Sequence, residues 1–365
     1  AVTTAATTTS TVGDYAITAA ASTLSATNYD FSFTAGTLTV SKAPLTVTAD
    51  AKSRIYGDAN PTLTATITGY VNNETSSVVS GTPVLSTGAS ATSNVGGYTI
   101  TAALGSLSAT NYSFSVTNGT LTVGKAPLTV TANPVGRAYG AANPALTATL
   151  TGFVNGETLG TSGVTGTAAV TTTATLTSPA TTYVITPALG DLAAANYAFA
   201  TFTDGVLTVG QKALTVTADA KTKVYGAANP ALTATITGFA NGETLATSGV
   251  TGAASVTTTA TALTGVGSAT LTAAFGNLVS ANYAFTFTDG ALTITKAPLT
   301  VTANPVGRVY GAANPTFTAT LAGFVNSETL DTSGVTGGAA FTTAAGATSI
   351  VGAYAITPAV GTLAS

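Results

Sequence analysis

The feature that most constrains this chain is an internal repeat of roughly 83 residues, the distance from Lys42 to Lys125. The segment Lys-Ala-Pro-Leu-Thr-Val-Thr-Ala begins at these two residues, returns at Lys296, and returns without its Pro at Lys212. Three further motifs recur with it: Tyr-Gly before Asn-Pro at Tyr56, Tyr139, Tyr225 and Tyr310; Glu-Thr at Glu74, Glu157, Glu243 and Glu328; and Asn-Tyr at Asn28, Asn111, Asn196 and Asn282. Such a period predicts an array of small domains.

The motifs divide the chain into five segments. Residues 1–41 correspond to the C-terminal half of a repeat, residues 42–124, 125–211 and 212–295 are three full repeats, and residues 296–365 correspond to the N-terminal part of a further repeat. We therefore expect the chain to be a window on a longer array. An alternative is that residues 28–40 of one molecule complete the unfinished repeat of another by strand complementation.

Each repeat has the residue pattern of β-strands. Apolar residues alternate with Thr at 45–49 and at 63–68, and a period of two is typical of strands with one buried face. Asn118-Gly119, between two further runs, predicts a two-residue hairpin turn. The pattern therefore predicts an all-β chain of tandem small antiparallel β-sandwiches, immunoglobulin-like, in an extended rod. A β-grasp-like unit stays open, because Gly-Glu-Thr-Leu after Asn155 could form a short helical turn.

A second period covers two repeats. Asp50 and Asp219 stand where the other two repeats have Asn133 and Asn304. Duplication of a two-repeat block accounts for this alternation. A sharper interpretation is that successive repeats turn through about half a circle, so that alternate repeats offer the same face to a neighbour.

Composition excludes most catalytic chemistry. The chain contains no Cys and no His, so it has no thiol nucleophile, no thiolate metal site and no imidazole base. No pair of carboxylates recurs at a consistent spacing in every repeat. We therefore predict that the protein is not an enzyme and has no catalytic residue, metal site or cofactor.

Charged residues make up only 6% of the chain, and their balance limits the partners. Ten Lys and Arg residues against thirteen Asp and Glu give a net charge of -3, which cannot build a basic surface for nucleic acid. No stretch approaches the roughly 18 apolar residues of a membrane helix, so we expect no membrane span in this segment. A Thr-rich, nearly uncharged surface places little repulsion between copies, and we expect lateral or head-to-tail assembly of the chain with itself.

The ordered set of motifs resembles the MBG repeat of the Tyr-Gly type. Gly-Phe-x-Asn-Gly-Glu-Thr is intact at 152–158 and 238–244, whereas Ala269 and Gln211 depart from the pattern. The resemblance implies a structural segment of an exported adhesin stalk or extracellular filament at the bacterial cell surface, as in large adhesins and haemagglutinin-like exoproteins. Its implied roles are surface extension, cell-cell adhesion or formation of a biofilm matrix. The alternative is a multivalent array that binds a cell-surface glycan or protein.

Two recurring sets of residues are candidates for chemistry. Lys42, Glu74 and Asn111 could supply the lysine, acid and asparagine of a spontaneous intramolecular isopeptide bond, which releases one ammonia. The competing interpretation is that Glu74 caps a turn and Lys42 lies at a domain junction. Tyr56 and its equivalents could stack on carbohydrate, but a Tyr before a Gly in every repeat favours a role in packing and turns.

Overall fold

The regular elements of the chain are β-strands joined by turns. The computed structural model describes residues 1–365. In residues 1–41 the strands are β1 (Val2–Thr4), β2 (Gly13–Ala19) and β3 (Gly36–Val40). The first full repeat contains β4 (Ala43–Ala49), β5 (Lys52–Ile55), β6 (Ala65–Thr68), β7 (Val84–Thr87), β8 (Gly96–Ala103), β9 (Tyr112–Thr117) and β10 (Gly119–Gly124).

The other segments continue the same series. The second full repeat contains β11 (Ala126–Ala132), β12 (Val135–Ala138), β13 (Ala148–Thr151), β14 (Ala169–Thr172), β15 (Thr182–Ala188), β16 (Tyr197–Thr203) and β17 (Gly205–Gly210). The third contains β18 (Lys212–Ala218), β19 (Lys221–Val224), β20 (Ala234–Thr237), β21 (Ser255–Thr257), β22 (Gly267–Ala274), β23 (Tyr283–Thr288) and β24 (Gly290–Thr295). The last segment contains β25 (Thr300–Ala303), β26 (Ala319–Ala322), β27 (Ala340–Thr343) and β28 (Ile356–Ala359).

The helical content is a single 3-10 turn at Ser76–Val78, directly after the Glu-Thr motif of the first full repeat. The short helical turn that the sequence left open after Asn155 is not a helical element of the structure, which has non-helical turns there. A helix with the length and apolar character needed to cross a membrane is absent from the structure.

Each full repeat is a β-sandwich of two sheets. In the first full repeat β6, β4 and β9 form a three-stranded sheet in that order, and β5, β10, β8 and β7 form a four-stranded sheet. Alternate side chains of a strand point to opposite faces, so the apolar set of the period-two pattern lines the interior and the Thr set meets solvent. Leu45, Val47, Ile100 and Leu121 are fully buried. The all-β sandwich prediction is confirmed, and the repeats are not β-grasp units.

The sheets are mixed, although the sequence predicted antiparallel ones. β4 pairs parallel with β9, and β5 pairs parallel with β10. The cause is that both the first two strands and the last two are divided between the sheets, so β4 lies beside β9 in one sheet and β5 lies beside β10 in the other. The period of two is the same in parallel and antiparallel strands, so the pattern alone could not separate them.

The same strand order recurs in the other full repeats, with one shift in the alignment. The sheets are β13-β11-β16 with β12-β17-β15-β14, and β20-β18-β23 with β19-β24-β22-β21. Ala43 lies opposite Tyr112, and Lys212 lies opposite Tyr283. Lys212 therefore takes the position of Ala43, and Gln211, not Lys212, takes the position of Lys42. This corrects the equivalence at that boundary by one residue.

The hairpin predicted at Asn118-Gly119 is wrong. The strands on either side of it, β9 and β10, belong to different sheets, and Gly119 does not have a positive φ. Asn118 instead accepts a hydrogen bond on Oδ1 from the backbone N–H of Ala102, at 3.0 Å. Gly119 is needed for space, because a Cβ there would overlap the carbonyl group of Ala49, whose carbon would lie only 3.0 Å away.

The chain forms two compact units, with the boundary inside the second full repeat. One unit comprises Ala1–Val135, Ala145–Thr173 and Tyr183–Leu207, and it contains the sheet of β1, β2 and β3, the first sandwich, and the sheet β13-β11-β16. The other comprises Gly136–Pro144, Ala174–Thr182 and Thr208–Ser365, and it contains the third sandwich and the two-stranded sheets β25-β26 and β27-β28.

We expect Gly119→Ala to destabilise the first full repeat by about 1–3 kcal/mol, because the added methyl group forces the crossing between the sheets apart. Hydrogen exchange of β4 and β10 amides measures the local free energy of opening. The matched control is Gly97→Ala, where the new Cβ meets only Thr120 Cγ2 at 3.7 Å. Equal exchange rates in the two variants would contradict this explanation of Gly119.

Candidate functional site

The recurring motifs of neighbouring repeats meet at the junction between them. At the first junction the carboxylate of Glu157, in the second full repeat, accepts two hydrogen bonds from tyrosine hydroxyls. Tyr56 of the preceding repeat donates to Oε1 at 2.5 Å, and Tyr197 of the same repeat as Glu157 donates to Oε2 at 2.6 Å. We call this arrangement the Tyr–Glu–Tyr clasp. It ties a Tyr-Gly motif to the Glu-Thr and Asn-Tyr motifs of the next repeat.

The complete clasp recurs at the second junction, and the bond between repeats recurs at the third. Glu243 accepts from Tyr139 of the preceding repeat at 2.5 Å and from Tyr283 of its own repeat at 2.6 Å. Glu328 accepts from Tyr225 at 2.5 Å. Tyr310, which has no following repeat in this chain, is 68% exposed, whereas Tyr56 is 4% exposed.

A turn with two left-handed residues aims the glutamate. Asn155 and Gly156 have φ of 55° and 72°, and the backbone N–H of Glu157 donates to the carbonyl of Val154 at 3.0 Å. Positive φ at both central positions is the signature of a type I′ turn, which Asn-Gly adopts readily. The turn chemistry that the sequence assigned to Asn118-Gly119 is therefore used here, in the Asn-Gly-Glu motif.

The glycine of Tyr-Gly lets the next repeat approach closely. A Cβ at Gly57 would lie 2.5 Å from Cγ2 of Val154, a residue of the second full repeat. Gly140 is equally close to Ala240 and Gly226 to Val325, whereas Gly311 has nothing within 4 Å. The contact is thus a property of the junction rather than of the isolated repeat.

The two cores are continuous through the first junction. Tyr56 and Val123 of the first full repeat form one buried cluster with Ala126, Leu128 and Tyr197 of the second. The rings of Tyr56 and Tyr197 meet edge to face, with centroids 5.5 Å apart and an interplanar angle of 82°. Edge-to-face aromatic pairs add about 0.5–1.5 kcal/mol to the burial of their area. The junction is therefore apolar as well as hydrogen-bonded.

The Asn of Asn-Tyr adds a further bond across the first and second junctions. Oδ1 of Asn196 accepts the backbone N–H of Val95, in the preceding repeat, at 3.1 Å. Asn282 accepts from Ala180 at 2.9 Å in the same way. Each of these two junctions thus has a side-chain clasp and, at a second point, a hydrogen bond from a backbone N–H. Two separated bonds oppose rotation of one repeat against the other.

The residues around Tyr-Gly hold the junction loop from within the repeat. Nε of Arg54 donates to Oδ1 of Asn60 at 2.8 Å, and Nδ2 of Asn60 donates to the carbonyl of Ala89 at 2.6 Å. In the third full repeat Lys223 takes the place of Arg54, and its Nζ donates to the carbonyl of Thr261 at 2.6 Å. These cations are largely buried and are satisfied by neutral oxygens.

The alternation of Asp and Asn leaves the local geometry unchanged. Asp50 accepts hydrogen bonds from Thr64 at 2.5 Å and Thr66 at 2.7 Å, and these two hydroxyls hold the pKa of its carboxyl below the ordinary value. Asn133 makes the equivalent pair, since its Nδ2 donates to Thr147 and its Oδ1 accepts from Thr149. The two amino acids thus close the same turn, and only the charge differs.

The clasp perturbs the tyrosines. The hydrogen bond to Glu157, followed by burial, raises the pKa of Tyr56 above its ordinary value. Burial, followed by the bond to the same carboxylate, raises the pKa of Tyr197 to about 12, and Tyr283 behaves likewise beside Glu243. Both causes act on all three tyrosines, because burial disfavours the charged phenolate and a phenolate can no longer donate a hydrogen bond to the carboxylate.

The proposed isopeptide residues have separate partners. Nζ of Lys42 donates to the carbonyl of Ala109 at 3.1 Å, Glu74 accepts from the Tyr112 hydroxyl, and Asn111 Oδ1 accepts the N–H of Val12 at 3.1 Å. The equivalents of Lys42 bond in the same way, Lys125 to the carbonyl of Ala194 and Gln211 to the carbonyls of Ser280 and Ala281. The isopeptide bond stays a prediction.

Sequence reasoning placed Tyr56 correctly in a packed position but missed its partner. Tyr56 and Glu157 are 101 residues apart, and each was interpreted within its own repeat. The signal that could have found the pair is that Tyr-Gly, Asn-Gly-Glu and Asn-Tyr recur together. A contact made by every pair of neighbouring repeats requires its donors and acceptors to recur in each one.

Comparisons with known proteins identify the type of repeat. Residues 1–39, 45–122, 128–208, 214–293 and 299–364 match the family profile described as MBG domain (YGX type), which confirms the resemblance derived from the motifs. A comparison with curated proteins finds no match.

Two solved structures are similar at low identity. One is Drosophila N-cadherin EC1-4, at 8% identity over 77% of this chain and 83% of that chain, with a TM-score of 0.21. The other is the N-terminal eight Ig domains of Down Syndrome Cell Adhesion Molecule isoform 1.30.30, at 13% identity over 86% of this chain and 48% of that chain, with a TM-score of 0.15.

We expect Tyr56→Phe to weaken the first junction by about 1.5–3 kcal/mol, because it removes a hydrogen bond to a charged group at a buried position. Hydrogen exchange at 54–57 and 153–157 measures the loss. Tyr310→Phe is the matched control, since the Tyr310 side chain is exposed. If both variants exchange like the wild type, the clasp does not stabilise the junction.

The junctions should weaken in alkali. The folded-state pKa of Tyr197 and Tyr283, about 12, lies above the ordinary value of 10.0, so their contribution is complete below pH 10 and is lost as the pH rises towards 12. The melting temperature should fall over that interval. A component of the tyrosinate absorbance should titrate near pH 12 in the wild type and be absent from the double variant Tyr197→Phe, Tyr283→Phe. If that component persists in the double variant, it does not come from Tyr197 and Tyr283.

Proposed function

The chain belongs to the MBG domain family of the YGX type, and from that premise we propose that it is a structural segment of an exported adhesin-like stalk on a bacterial cell surface. The stalk holds a distal element away from the cell or links cells into a matrix. In this role the repeats carry load and set distance, and they perform no reaction.

One observation carries the proposal: the recurring polar residues are used to join repeats. Tyr56, Glu157 and Asn196 each bond at the first junction, and Tyr139, Glu243 and Asn282 do so at the second. A domain with an active or binding site keeps its recurring polar groups open to a ligand. Here the recurring groups bond to the neighbouring repeat.

The junction contacts favour stiffness over swivel. Bending at the first junction must break the bond between Tyr56 and Glu157, separate Val95 from Asn196, and expose the apolar cluster that the two repeats share. Each loss leaves a desolvated polar group or apolar area in a region that water does not fill. An array joined in this way transmits force along its length.

The alternative of a multivalent glycan- or protein-binding array receives less support. Tyr56 and Tyr139 are both 4% exposed, so these aromatic residues have no free face for a sugar ring. Such an array would have to bind through surfaces outside the recurring motifs.

Small-angle X-ray scattering of the chain tests the stalk. Four repeats of about 30 Å each predict a maximum dimension of at least ~120 Å for the wild type. The double variant Glu157→Ala, Glu243→Ala should swivel at both junctions and give a shorter mean dimension. A wild type that scatters as a compact globule would overturn the proposal.

The matched control for this experiment is Asp30→Ala, Asp331→Ala. It removes the same two charges from exposed positions that make no junction bond. Its scattering should equal that of the wild type.

Export is tested separately. Protease added to intact cells should digest the chain, and protection of the chain until the cells are lysed would contradict a surface location.

A further inference from the structure

The four outer strands of a sandwich differ in how well they are protected. Outer strands leave backbone N–H and C=O groups unpaired, and natural proteins shield them with charge, bulges or shortness. In the third full repeat β19 reads Lys-Thr-Lys-Val, β21 has three residues, and β20 starts beside the carboxylate of Asp219, which accepts from Thr233 and Thr235. β23 is the fourth, and it lacks these protections.

β23 is long, regular and uncharged. It reads Tyr-Ala-Phe-Thr-Phe-Thr over six residues, and it pairs without interruption with β18 on one side only. The equivalent β16 carries a bulge, because Leu128 lies opposite Phe199 but Thr129 lies opposite Thr201. The following Asp289 turns inwards, since its Oδ1 accepts the N–H of Ala273 at 3.0 Å.

An exposed aromatic cluster lies along this strand. The ring of Phe275 meets those of Phe285 and Phe287 edge to face, with centroids 5.7 and 6.3 Å apart. Phe275 is 51% exposed and Phe287 is 37% exposed. In the first full repeat Leu104 and Val116 take these two places, so the aromatic cluster belongs to the third. Exposed apolar groups beside an open strand favour a protein partner.

We propose that β23 is a self-association edge, which pairs antiparallel with β23 of a second copy of the chain about a two-fold axis at Thr286. The inference goes beyond the stalk and does not depend on it. Pairing of the two β23 strands would give a lateral contact between copies, in which two three-stranded sheets join into a continuous six-stranded sheet.

The sequence of the strand is complementary to itself in this register. With Thr286 opposite Thr286 of the second copy, Phe285 lies opposite Phe287 of that copy, and the reverse pair forms by symmetry. Both pairs lie on the same face as Phe275 of each copy, so the two aromatic clusters merge. No charged side chain is brought against a like charge, which is why a second copy fits this edge.

Sedimentation velocity of the full chain over a concentration series tests the proposal. The wild type should form a dimer. Thr286→Lys and Thr286→Glu should each raise the dissociation constant by about tenfold or more, because the axis places like charges directly opposite. An equimolar mixture of the two variants should restore dimerisation, since Lys then faces Glu. A folding defect would not be rescued by mixing.

Thr293→Lys is the matched control, because Thr293 is an exposed residue of the central strand β24. It should dimerise like the wild type. The chain has no Cys, so Thr286→Cys supplies a single thiol that should form a disulfide-linked dimer under mild oxidation, whereas Thr293→Cys should not.

Three results would overturn the proposal. They are a wild type that stays monomeric at every concentration, equal association of Thr286→Lys and Thr293→Lys, and failure of the mixture to restore association. Cross-linking at 293 but not at 286 would likewise place the contact on another surface.

Discussion

The arrangement of this chain depends on one carboxylate shared by two tyrosine hydroxyls. Glu157 lies between Tyr56 and Tyr197, which belong to different repeats, and both bonds are short. In a chain with only thirteen acidic residues, one glutamate per repeat is committed to this contact. A carboxylate with two neutral donors forms strong bonds without the desolvation of a second charge, which an ion pair would require. The scarcity of charge and the strength of the junction are therefore compatible.

The clasp also explains why the motifs have their particular residues. Gly57 provides the space for Val154, and the left-handed pair Asn155-Gly156 turns Glu157 towards both tyrosines. The hydroxyl of Tyr197 accepts the N–H of Val154 while it donates to Glu157, so the turn and the clasp hold each other. The motifs are far apart along the sequence, but these three meet within one contact.

Much of the fold follows from the sequence, and the errors have identifiable causes. The alternation of Leu45, Val47 and Ala49 with Thr predicted a half-buried strand, because burial of one face is a local property. The dipeptide Asn-Gly predicted a hairpin at 118–119, but the strands on either side of it belong to different sheets, and which strands pair is long-range information. The Tyr56 position was predicted as packed, whereas its bond to Glu157 depends on a residue in another repeat.

The junction also has a consequence for how such a gene can change. Every full repeat carries the donor half of the contact at one end and the acceptor half at the other, as in Tyr139 and Glu157 of the second full repeat. Loss of that whole repeat would bring Tyr56 next to Glu243, which is the same chemistry in the same register. Unequal recombination can therefore lengthen or shorten the array by whole repeats, and each product inherits a working interface that selection does not have to rebuild.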